Sequence, residues 1–340
     1  MGERRRRNLL VRVPPSVNAR SHPKMKREWY ISFHGGAEKT ALNNIHVYSL
    51  EGRKLRKALN QDSLPPNVAL RELRGFAKGP DGLLYVVNAF HEFSQILRFK
   101  GKRNKHQQHS FHDVFVQHDA ARNSGLIHPF NITFDVRGDL YVASQDTSLI
   151  LRYFGPGSHK GGAGAAMPLP LALLKFAGGS FHPGTFCASA REIAHGLVVV
   201  RGAVFFGGML YVADRDADCV KKFDATTAAY CGEIAAAGLI DKPIHLLLED
   251  GTLYIGNRGN ESVAKCNLKT ETVTAYIEPK SGGLKNPSGL AFGRDGFFYV
   301  GSRGSRQILR FRCADGRPDP RPFIDALEDE PEFIHLVDRA

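Results

Sequence analysis

The chain has 340 residues, 42% of them hydrophobic and 10% aromatic, enough for a large buried core, and its 24% charged content excludes disorder throughout. No apolar run approaches the roughly 18 residues that a membrane-spanning helix needs. The net charge of +12 is gathered at one end, where residues 1–28 hold nine Lys/Arg against two Glu, so the rest of the chain does not read as a general polyanion binder.

Residues 1–27 form a basic tail outside the predicted fold, with Arg4-Arg5-Arg6-Arg7 as its densest run. Two readings stand for it: a nucleic-acid-binding arm or a nuclear or organellar address, and a solvated, disordered end. Leu9-Leu10-Val11 is too short for a secretory apolar stretch, and the expectation is a soluble, cytoplasmic monomer. Five widely spaced cysteines with no Cys-x-x-Cys pair indicate neither a disulfide framework nor a zinc site. Cys219 and Cys231 face each other across one predicted hairpin, either as two packed thiols or as a bridge.

From residue 28 onward one pattern recurs six times. A strand with a central tyrosine appears at Trp29-Tyr30-Ile31, Leu84-Tyr85-Val86, Leu140-Tyr141-Val142, Leu210-Tyr211-Val212, Leu253-Tyr254-Ile255 and Phe298-Tyr299-Val300. Each is followed by a second β-branched or aromatic run: Ile45–Tyr48, Ile96–Phe99, Ile150–Tyr153, Val220–Phe223, Val263–Cys266 and Ile308–Phe311. In front of the later copies stands a further strand ending in a glycine turn, as at Asp81-Gly82, Arg137-Gly138, Asp250-Gly251 and Asp295-Gly296. The first copy lacks this leading strand, and the C-terminus supplies a spare one, Pro331–Asp338. A period of 40 to 50 residues in strand units, closed end to end, predicts an all-β, six-bladed propeller of four-stranded antiparallel blades over 28–340, with the C-terminal strand completing the N-terminal blade. Residues 155–199 exceed what one blade needs and are read as an inserted loop, either roofing the central channel or packing on the outside.

The repeats resemble the NHL family of six-bladed propellers, on the motif Asn286-Pro287-Ser288-Gly289-Leu290-Ala291-Phe292-Gly293-Arg294-Asp295-Gly296-Phe297-Phe298-Tyr299-Val300-Gly301. More distantly the chain is similar to the senescence-marker/gluconolactonase and streptogramin-lyase propellers. The resemblance implies that the loops entering the innermost strands and leaving the second strands share one end of the channel. Entry positions then carry Arg74, Asn131, His245, Ser288 and Glu332, with Arg201 or His195 in the fourth blade; exits carry His34, Asn88, Asp146, Asp214, Arg215, Asn257, Arg258, Ser302 and Arg303.

Three chemistries compete for that end. Arg74, Arg201, Arg215, Arg258 and Arg303, with Asn88 and Asn257, make a site for a small anionic molecule or a peptide carboxylate, or else close into an ionic ring with neighbouring acids. Glu332, Asn131, Asp146, Asp214 and His245 offer donors for a divalent cation (Ca, Mg, Mn or Zn), although Asp214 and Asn257 serve equally well as turn caps. With such a cation, Glu332, Asp214 or His245 is the candidate proton carrier of a metal-dependent hydrolase, lactonase or lyase, as the resemblance to the gluconolactonase and streptogramin-lyase propellers implies. The remaining reading is a protein or RNA interaction scaffold.

Overall fold

The computed structural model describes residues 27–35, 42–90, 94–159, 162–176 and 179–338. The Arg4–Arg7 run lies outside them. Among the described residues no helix is long and apolar enough to cross a membrane.

Alternating apolar residues and glycine turns build six sheets, joined edge to axis as a six-bladed β-propeller. Blade 1 pairs the C-terminal strand Pro331–Asp338 with Arg27–Phe33, in antiparallel register from Arg27 opposite Asp338 to Phe33 opposite Pro331. Arg27 adds an ion pair to Asp338 at 2.9 Å. The ring is therefore closed by hydrogen bonds between the two ends of the domain, which leaves no innermost strand without its blade.

The innermost strands of blades 2 to 6 are Leu73–Lys78, Pro129–Phe134, Val200–Phe206, Pro243–Glu249 and Pro287–Phe292. The six tyrosines occupy equivalent places in the second strands: in blades 2 to 6, Tyr85, Tyr141, Tyr211, Tyr254 and Tyr299 stand opposite Arg98, Arg152, Lys222, Lys265 and Arg310 of the third strands. Tyr30 faces Val47 instead. Arg98 and Arg310 stack on Phe115 and Phe297 at 4.5 and 4.7 Å, so this basic column covers aromatic surface within its own blade.

Two blades depart from four strands. Leu59–Asn60 adds to blade 2 as a fifth, parallel strand against His109–Ser110, clasping blade 1 to blade 2. Blade 6 has three strands, its outer edge covered by single bridges from Ile308 to Ile324 and from Phe311 to Pro318. The 155–199 segment supplies the outer strand of blade 3, Thr185–Cys187. Ala172 N–H donates to Thr227 O in the turn after the third strand of blade 4, and His182 Nδ1 lies 2.8 Å from Ser124 Oγ. The described residues of the insertion thus run along the outer side of blades 3 and 4. All five cysteines are free thiols.

Candidate functional site

In every blade the pairing of innermost and second strands slips register near one end, as between Leu73 and Phe76, Val200 and Ala203, and Pro287 and Leu290. These bulges aim side chains into the end of the ring where the entry loops meet. Counting from the register below the bulge, Arg74, Phe130, Arg201, Ile244, Ser288 and Glu332 share one level around the axis. One residue deeper come Phe333, Gly75, Asn131, Gly202, His245 and Gly289. Asn131 and His245 are therefore a layer below the arginines that sequence spacing made their equals. The fourth-blade position belongs to Arg201; His195 stacks on Tyr230 instead, with ring centroids 4.5 Å apart.

The deeper level alternates by blade. Gly75, Gly202 and Gly289 leave no room for a side chain, since a Cβ on Gly289 would stand 2.4 Å from Ile334 N. The intervening blades use that space for Phe333 and His245, and Phe130 reaches across from above. The three rings meet at the axis, with centroids 4.7 Å apart for His245 and Phe333, and 5.3 Å from Phe130 to each. Arg74 and Arg201 lie over the Phe130 ring at 5.8 and 5.5 Å. An aromatic layer thus floors the charged mouth.

Glu332 is fully buried in that mouth. Its Oε2 is 3.0 Å from Arg74 Nη1 and 3.5 Å from Arg303 Nη1, and its Oε1 is 3.9 Å from His245 Nε2. Neither oxygen accepts a hydrogen bond among the described residues, and His245 Nε2 is likewise buried without one. Burial works to raise the Glu332 pKa, but Arg74, Arg303 and His245 outweigh it and hold the carboxyl at about 2. Burial pulls His245 down to about 3 despite Glu332, so its imidazole is neutral at pH 7.

Beside this pair lies an ionic cluster. Arg74 Nη2 meets Glu72 Oε1, and His128 bridges Glu72 at 3.0 Å and Asp146 at 3.2 Å. Burial disfavours a charged His128, but its hydrogen bonds to Asp146 and Glu72 raise it to about 9. Glu72 and His128 both have positive φ, 51° and 52°, just before an innermost strand, and this left-handed step belongs to the segments that carry their side chains to the mouth. Arg303 also binds Glu330 at 2.7 Å, and Arg215 forks onto Asp216 at 2.6 and 3.0 Å.

Arg201 differs from these. Only 6% exposed, it donates to the carbonyl of Val200 at 2.8 Å and, among the described residues, has no carboxylate within 4.0 Å. Burial, then the fields of Arg215 and Arg74, lower it to about 9, still protonated at pH 7. Arg258, at the exposed rim, also has no carboxylate partner among the described residues; burial, Arg303 and Arg215 push its pKa down.

The exit residues divide. Asn88, Ser144, Asp214, Asn257 and Ser302 are fully buried at the ends of second strands, and each bonds the backbone of the loop entering its own blade. Asn88 accepts from Arg71 N at 2.7 Å, Ser144 from Ile127 N at 2.9 Å, Asp214 from Val199 N at 2.8 Å and Ser302 from Lys285 N at 3.0 Å; Asn257 donates to Leu239 O at 2.8 Å. Asp214 also pairs with Lys221 at 2.9 Å. These side chains latch loops and turn away from the mouth. Asn131 uses Oδ1 for Ile132 N at 2.8 Å. Of the donors named for a cation, Glu332 and His245 lie 3.9 Å apart, whereas Asp214 and Asn131 are engaged with backbone N–H groups; among the described residues there is no group of three or more His, Cys, Asp or Glu side chains placed to hold a metal ion.

No family model and no curated protein sequence matches the chain. Solved structures do. A chain from a nidogen/laminin complex is similar over 91% of this chain and 98% of its own, at 14% identity and a TM-score of 0.57. A streptogramin B lyase structure aligns over 75% of this chain and 70% of its own, at 14% identity and a TM-score of 0.49. The computationally designed Ika8 protein aligns over 85% and 70%, at 10% and 0.44. At such identity the first of these shows the propeller fold alone.

Phe130, Phe333 and Glu72 were not among the candidates from sequence. The two phenylalanines read as ordinary strand residues, and Glu72 lies in an entry loop outside the repeat. For the cluster beside them, the sequence offered Asp146, at an exit position, and the His128-Pro129 step, a histidine beside an innermost strand.

Proposed function

We propose that this propeller binds a small anionic ligand, a carboxylate of a metabolite or a peptide, at the arginine-lined mouth. The observation that carries the reading is Arg201, a buried guanidinium with no carboxylate of the described residues within reach, flanked by Arg74 and Arg215. An uncompensated buried charge is costly, and an anion that arrives with the ligand removes that cost. Two parallel N–H groups of a guanidinium suit a carboxylate. The resemblance to NHL propellers is compatible with this assignment, since it fixes a channel mouth and leaves the ligand open.

Malonate, titrated calorimetrically into the full chain against its neutral diamide, tests the reading. Malonate should bind saturably and malonamide should not. Arg201→Met should weaken malonate at least tenfold, in line with the roughly 1.5–3 kcal/mol of a charged hydrogen bond, while leaving the ligand-free protein as stable or more stable than the original. Loss of stability in Arg201→Met with malonate affinity unchanged would make Arg201 a structural residue and end the proposal.

A further inference from the structure

Below the aromatic layer the innermost strands of all six blades surround a half-open cavity of about 330 Å³. It runs from His245 and Phe333 down to Phe134, Phe205 and Leu248, near the far ends of their strands. Among the described residues no Asp, Glu, Lys or Arg lines it, in a chain that is 24% charged. Its polar groups are Asn131, Thr133 and the imidazoles of His245 and His335.

Size and lining together narrow what can occupy it. A dry apolar cavity of about 150 Å³ already accepts benzene, and small-molecule sites start near 300 Å³. An ion entering here would shed its hydration with no counter-charge in the wall to replace it. Ring edges and faces line the space: His335 sits edge-on to Phe76 at 4.6 Å, and His245 likewise to Phe333 at 4.7 Å, an arrangement that favours a further aromatic ring. Burial lowers His335 to about 4 and His245 to about 3. At pH 7 both imidazoles are neutral, and each has a ring nitrogen able to accept a hydrogen bond.

We infer that the cavity is a second ligand site, independent of the anion mouth, for a neutral molecule of one or two fused rings carrying an N–H or O–H donor. It shares the axis with the mouth and is divided from it by Phe130, His245 and Phe333.

Indole is the probe, titrated into the full chain by calorimetry and ligand-observed NMR. Indole should bind saturably at one site, and excess malonate should not displace it. Ala203 lines the cavity, at the same level as Phe76, Ile132, Leu246, Leu290 and Ile334. Ala203→Leu fills that space and should cost indole at least tenfold in affinity, with cooperative unfolding retained. Should Ala203→Leu fail to fold, benzofuran tests the same point in the original protein. It matches indole in shape without the donor and should bind about fivefold more weakly. Absence of saturable indole binding, displacement by malonate, unchanged affinity in folded Ala203→Leu, or equal binding of indole and benzofuran would each overturn the assignment.

Discussion

Replacing Glu332 by glutamine keeps the shape of the side chain and removes the one full negative charge that lies between Arg74 and Arg303. Burial opposes ionisation here, yet the two guanidiniums and His245 bring the carboxyl from 4.5 to about 2. At about 1.4 kcal/mol per pH unit, that interval is worth about 3 kcal/mol of folding stability. The folded-state pKa is depressed, so the contribution is complete above pH 4.5 and is lost as pH falls through 2. Glu332→Gln should therefore be about 3 kcal/mol less stable than the original by urea unfolding at pH 7, and only about 1 kcal/mol less stable at pH 3, where the carboxyl of the unfolded chain is already largely protonated while the native one is still mostly ionised. Equal or greater stability of Glu332→Gln at pH 7 would refute the reasoning. It would mean that desolvation of the carboxylate outweighs its pairing, as happens in some buried ion pairs.

Asp214→Ala removes hydrogen bonds to Val198 and Val199 and leaves Lys221 buried without its carboxylate. A loss of about 3–5 kcal/mol is expected, with malonate affinity within about twofold; a tenfold fall in affinity in a folded variant would place Asp214 in the mouth after all. His128 titrates from the opposite side. Its folded pKa is raised from 6.5 to about 9, so its contribution is complete below pH 6.5 and is lost as pH rises through 9. Discounted for the solvent-exposed Asp146 partner, that contribution is about 1–2 kcal/mol. The stability gap between the original and His128→Gln should have that size at pH 6 and vanish by pH 10; a gap that does not change with pH would show that the histidine acts uncharged.

The repeat was legible because its signals are local. The tyrosine strand, the glycine turn and the β-branched partner strand lie within one period, and each hairpin tests its own register through alternation of side chains. The spare strand Pro331–Asp338 was legible for the same reason, being a complete copy of a unit missing elsewhere. The mouth was only partly legible. Arg74, Arg201, Arg303 and Glu332 do come together, but Asn131 and His245 sit one layer lower, because the repeated bulge breaks the count by twos at the place where the site is built. Asn88, Asp214 and Asn257 lie at the right ends of their strands but turn back onto entry loops, a choice between two neighbouring directions that residue type does not encode.

What the sequence by itself determined is the number of blades, their strand order and the closure of the ring, since each follows from alternation and turn chemistry within about fifty residues. Only the tertiary structure decided which charges are compensated. Closing the ring brings Glu332 against Arg74, sets His128 between Glu72 and Asp146, and leaves Arg201 without a carboxylate among the described residues. Glu332 with Arg74 and His128 with Glu72 join neighbouring blades, and the energies of these pairs depend on distances and burial that exist only once the blades have packed together.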